Sequence, residues 1–97
     1  MNVGILIFHE VLEFEVANII SVFGIARSLL PQPLEGETQP ESAKLEVFTL
    51  AKTRASILGS SGLVMTPTYA FAGAPEPDVV FVPAHPMKLT RIAPYWG

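Results

Sequence analysis

"NVGILIFHEVLEFEVANIISVF", residues 2–23, decides the fold. Its first seven residues form a short, nearly continuous apolar run rich in Val and Ile. A strand buried on both faces has that length and composition. A core helix is the alternative, but Gly4 and the shortness of the run argue against it. From Leu12 onward the period changes. Leu12, Val16, Ile19, Ile20, Phe23, Ala26 and Leu30 fall on one helical stripe, whereas Glu13, Asn18, Ser21, Arg27 and Ser28 lie mostly off it. The helix start is bracketed between Leu12 and Asn18. Glu13 and Glu15 come early, where the helix dipole favours anions. Pro31 ends the pattern.

Working outward, "PQPLEGETQPESA" (31–43) reads as a solvated loop with three prolines and three glutamates. "KLEVFTLA" (44–51) reads as a second strand. "ASILGSSGLVMT" (55–66) holds two short apolar runs around Gly59-Ser60-Ser61-Gly62, the pattern of a hairpin with a four-residue loop. "PTYAFAGAPEP" (67–77) reads as irregular, and "DVVFVP" (78–83) as a third strand, apolar on both faces. Strand, helix, strand, hairpin, strand is the order of an α/β fold with a parallel sheet. In such sheets ligands gather beyond the carboxyl ends of the strands. Here those segments are residues 9–15 and 84–86.

Bulk properties narrow the function. Ninety-seven residues make one small domain. Half the chain is apolar (49%), which favours a packed core and, in so short a chain, apolar surface reserved for a partner. The net charge is −3 with no basic block, so nucleic-acid binding is not expected. There is no cysteine, which removes disulfides, thiolate metal sites and a cysteine nucleophile from within these residues. The opening residues lack the basic n-region of a signal peptide, and no apolar run approaches the ~20 residues of a membrane span. A cytoplasmic protein is the expectation.

A buried parallel sheet needs helices on both faces, and this chain offers one convincing helix. The 14 residues after Pro83 contain Pro86 and Pro94 and are too few for a crossover helix and another strand. One sheet face or edge should therefore be bare.

Residues 2–23 resemble the opening of the PfpI/ThiJ family (the DJ-one superfamily, with a class I glutamine-amidotransferase-like fold). That opening is a strand followed by an acidic residue entering a helix. "LEVFTLAKTRASILGSSGLVMTPTYAFAGAPEPDVVFVP" (45–83) resembles the strand, hairpin, loop and third strand that follow. The similarity extends to isocyanide-hydratase-like and regulator-linked branches. It implies a flavodoxin-like sandwich, commonly dimeric. It also implies a cysteine nucleophile on a sharp turn after the next strand, partnered by the early acid. By position that acid is Glu15. A Gly-Gly pair that presents backbone amides near the reacting centre maps onto Ala84-His85. The sequence departs from the pattern in three places. Asn18-Ile19 stands for a Gly-Pro, Ala84-His85 for the Gly-Gly, and the nucleophile strand and elbow have no counterpart. Residues 1–83 therefore read as an N-terminal half-domain, and 84–97 as a divergent tail.

Each candidate has a plainer alternative. Glu15 is a polarising acid, or merely a glutamate favoured by the helix dipole. His9 and His85 follow strands and, with Glu10 or Glu15, would make a metal site. Their spacing matches no metal motif, so two loop-end histidines is the better reading and no metal or cofactor is expected. The Gly59–Gly62 segment lacks phosphate-loop spacing, and Ser60 and Ser61 lack a nucleophile-elbow context, so a hairpin turn is expected. Tyr95-Trp96 is an interface anchor or a frayed end.

Three functions remain open. The first is a catalytically incomplete piece of a cysteine-dependent hydrolase, hydratase or lyase acting on a small molecule. The second is a non-catalytic ligand-sensing or interaction module. The third is a remnant that folds only by oligomerising. The partner is expected to be a second copy or a complementary half-domain.

Overall fold

Val3 and Ile5 lie out of reach of water, as does Ile7 just beyond them, and the strand that carries the first two, β1 (Asn2–Leu6), runs through the centre of the sheet. The structure is a computed structural model, described for residues 1–31, 33–38 and 44–84. After β1 come α1 (Glu13–Ser28), β2 (Glu46–Ala51), the paired short strands β3 (Ile57–Leu58) and β4 (Val64–Met65), then β5 (Tyr69–Ala70), a 3-10 turn at Phe71–Gly73, and β6 (Val79–Phe81).

The main sheet has the order β5-β2-β1-β6, with every pairing parallel. β3 and β4 form a separate antiparallel pair. This is the expected α/β architecture, with a parallel sheet, one main helix and a small hairpin. Polar side chains fix the register at the amino ends. The Asp78 carboxylate accepts the Asn2 backbone N–H at 2.6 Å, and the Asp78 N–H donates to the Asn2 carbonyl at 2.7 Å. The Met1 ammonium donates to the Lys44 carbonyl, which ties the start of β1 to the start of β2.

In-register partners share a face, because side chains alternate along each strand. One face carries Ile5, Ile7, Val47 and Ala51, which pack with Val16 and Ile19 of α1. Phe23 and Phe81 meet on it with ring centroids 5.6 Å apart. The other face carries Gly4, Leu6, Phe48, Leu50, Tyr69 and Val80. No helix covers it among the described residues. Phe48 and Tyr69 meet edge to face at 5.3 Å, and residues 71–77 border a cleft of about 420 Å³ there. A Cβ on Gly4 would come within 2.7 Å of Leu50 Cδ1, so glycine lets these two chains pack closely.

Three expectations need correction. Residues 67–77 are not wholly irregular, since Tyr69–Ala70 adds a fourth parallel strand beside β2. The signal was too short to read, because two residues show no period. The strand at 78–83 is apolar on both faces, which predicts burial, but it is the edge strand of the sheet with Val80 and Val82 exposed. Continuous apolar sequence reports what a strand is built to bury, not what this chain alone supplies to cover it. On α1 only Val16 is fully buried. The expected stripe member Ile20 is exposed, and Phe14, Val22, Ile25 and Leu29 form a further exposed apolar set. Tyr95 and Trp96 lie outside the described residues.

Candidate functional site

From β1 the chain crosses first to β2 on one side, and later returns to β6 on the other. The crevice outside the carboxyl ends of strands at such a reversal is where open α/β sheets bind ligands. Here it lies between the β1–α1 loop and the residues that follow β6.

The loop takes its shape from the hairpin. Glu10 has a left-handed backbone (φ 69°), a conformation that costs about 1 kcal/mol outside glycine. Its N–H donates to the Leu58 carbonyl at 2.8 Å, while the Ser60 N–H donates to the Val11 carbonyl at 2.9 Å. The Leu58 N–H donates to Nδ1 of His9 at 3.2 Å. The chain therefore reaches α1 with Val11 buried and the Leu12 N–H bonded to the Ala84 carbonyl beyond β6.

Glu15 lies in the first turn of α1. Its Oε2 accepts the Ala84 backbone N–H at 2.6 Å. The Ala84 carbonyl in turn accepts the Leu12 N–H at 2.8 Å. Both polar backbone groups of Ala84 are thus held by the start of α1, which has no side-chain cap of its own. Two of the three residues singled out in the sequence, Glu15 and Ala84, meet at the crevice. The third, His85, lies outside the described residues. His9 is held by the hairpin, and among the described residues no three His, Asp or Glu groups are arranged to hold a metal.

Glu13 carries no functional expectation from the sequence, yet several hydrogen bonds from the hairpin turn converge on it. It accepts from Ser60 Oγ at 2.8 Å, from the Ser61 N–H at 2.8 Å and from the Leu63 N–H at 3.2 Å. Partial burial pushes this carboxyl up. The hydrogen bonds from its own backbone N–H and from Ser60, Leu63 and Ser61 outweigh that effect and hold it down at about 2. A Cβ on Gly59 would overlap the Glu13 side chain. The glycine-serine turn is a hairpin turn, as expected, and the anion in it belongs to its own chain. No sequence signal pairs a helix glutamate with a turn 47 residues later. Gly59 beside two serines is at most a hint of close approach.

The fold now has relatives. A ThiJ/PfpI family protein from Pseudomonas syringae superposes with a TM-score of 0.63 at 19% identity, over 87% of this chain and 28% of its own. The chain has a ThiJ/PfpI-like fold. A DJ-1 superfamily protein from Agrobacterium tumefaciens superposes with a TM-score of 0.55 at 11% identity, over 100% of this chain and 41% of its own. The chain thus spans well under half the length of either structure. No protein-family model matches the sequence, and neither does any curated protein. The ThiJ/PfpI-like sheet carries Glu15 on its first helix and Ala84 just beyond its β6 edge. No described helix is long and apolar enough to cross a membrane.

Proposed function

We propose that residues 1–83 are the acid-bearing half of a ThiJ/PfpI-type domain, and that the half works only when a complementary segment covers it. The parent activity in this reading is a cysteine-dependent hydrolase, hydratase or lyase acting on a small molecule, with the isocyanide-hydratase-like branch as one form. Glu15 would polarise the thiol, and Ala84 and His85 would form the ligand loop. The observation that carries the reading is the 2.6 Å hydrogen bond from the Ala84 N–H to Glu15, which brings the two together at the strand-order reversal. An acid without its nucleophile performs no covalent chemistry, and none of the 97 residues is a cysteine. In this reading the thiol comes from a complementary segment outside these 97 residues, and a reactive thiol suits the reducing cytoplasm.

The bare surfaces support a partner. The outer edge of β6 offers strand-pairing backbone groups, and the exposed Val80 and Val82 and the helix set Phe14, Val22, Ile25 and Leu29 are apolar. A complementary half-domain would extend the sheet from β6, and a second copy would cover the helix set.

The test is alkylation of the assembly that the tagged chain forms in its own cells. A partner polypeptide should carry a cysteine that reacts with iodoacetamide below the pH range of an ordinary thiol. Glu15→Ala should move the midpoint of that pH profile. An unmoved midpoint removes Glu15 from the site, and an assembly without a reactive cysteine removes the catalytic reading.

One observation favours the second reading, a non-catalytic ligand-sensing module. The Ala84 N–H is already donated to Glu15, so it is not a free donor for a developing oxyanion.

A further inference from the structure

A second concave surface lies on the other side of β1, outside the carboxyl ends of β1 and β2. It is a cleft of about 310 Å³, walled by Ile7, Ile57 and Phe71 and edged by His9, Lys52 and Ala55. Neither Glu15 nor Ala84 lines it, so it is separate from the crevice beside β6 and does not depend on the function proposed there. Its volume is at the lower limit for small-molecule pockets, about 300 Å³.

The cleft's charge runs against that of the chain. The protein carries nine carboxylate side chains against six Lys and Arg, yet none of the cleft's lining residues is Asp or Glu. Lys52 stands exposed at its rim. His9 accepts the Leu58 N–H on Nδ1, so the neutral ring has its donor on Nε2. The walls are mostly apolar; Thr53 and Ser56 also line the cleft, their hydroxyls bonded to the Ala55 N–H and to Thr66 Oγ1, while Lys52 and the His9 ring present donors. An apolar body with an anionic end meets both requirements, since a charge-assisted hydrogen bond fixes the end while the walls bury the body.

We infer that this cleft is a binding site for a small carboxylate with an apolar body.

The test uses the full chain and two probes of nearly equal shape, phenylacetate and the neutral phenylacetamide. Binding is read by saturation-transfer difference NMR at neutral pH, which tolerates assemblies of any size. Phenylacetate should bind and the amide should bind about tenfold more weakly. Lys52→Met keeps the apolar stem and should weaken phenylacetate by about the same factor, while Lys52→Arg should not. Ala55 is exposed, so Ala55→Trp should fill the cleft without disturbing the core and should abolish binding of both probes. Glu15→Gln should leave both unchanged, even if the cysteine-dependent reading fails. The inference is overturned if neither probe binds at millimolar concentration or if the amide binds as well as the acid. It is equally overturned if Lys52→Met or Ala55→Trp leaves phenylacetate binding intact.

Discussion

The Glu15 carboxylate takes the Ala84 backbone N–H at 2.6 Å and so joins the first turn of α1 to the residue beyond the β6 edge strand. The contact links the two halves of the switch-point crevice. Replacing Glu15 by Ala should cost about 1 kcal/mol, the usual net worth of one hydrogen bond. Glu15→Gln keeps an acceptor and should cost less. Amide exchange at Ala84 should rise most in Glu15→Ala, while the Leu12 amide, which donates to the Ala84 carbonyl, should change less. Unchanged exchange at Ala84 would mean the contact does not form in solution.

Glu13 should make the hairpin acid-sensitive. Its carboxyl is lowered from the ordinary 4.5 to about 2 in the fold. A depressed acid stabilises the fold fully above its unfolded value and loses that contribution as pH falls through its folded value. The clasp should therefore hold above pH 4.5 and weaken on descent towards 2. Amide exchange of Ser61 and Leu63, measured against pH, checks this. In Glu13→Gln the same amides should exchange faster at neutral pH and show no step in that window.

Gly59→Ala should act through Glu13. The added Cβ overlaps the Glu13 side chain, so one of them must move. The substitution should loosen the hairpin in the natural sequence and be milder in a Glu13→Ala background. A double-mutant cycle read by thermal melting measures that coupling. Strictly additive effects would contradict the overlap.

The two sheet faces should respond differently. Ile5 is fully buried under α1, so Ile5→Ala should cost about 2–5 kcal/mol. Val80 is exposed on the face that no described helix covers, at the edge away from the buried Phe48 and Leu50, so Val80→Ser should cost less than about 0.5 kcal/mol in the isolated chain. It should also reduce self-association, measured by light scattering. A large loss of stability from Val80→Ser would mean that face is covered from within.

The fold was legible where an element carried its own period. The apolar run at residues 2–8 and the helical spacing from Leu12 held to within a few residues, ending as Asn2–Leu6 and Glu13–Ser28. The hairpin followed from Gly59 to Gly62. Tyr69–Ala70 was not legible, because its strand character comes from its neighbour β2 rather than from alternation. The exposure of Val80 was legible only indirectly, from the shortage of helices. In the site, Glu15 and Ala84 came from resemblance and position, and the structure put them in contact. Glu13 was seen only as a glutamate near a helix start. Its partners Ser60, Ser61 and Leu63 reach it through tertiary packing that no local pattern encodes.

The central claim is that this chain presents to a partner a parallel sheet with one face that no described helix covers and an acid at its switch point. Sedimentation equilibrium of the purified 97-residue chain, paired with a calorimetric melt, tests it most directly. The chain should self-associate or melt without cooperativity, because one helix cannot cover both faces of a parallel sheet. A monodisperse monomer with one cooperative transition would contradict the account.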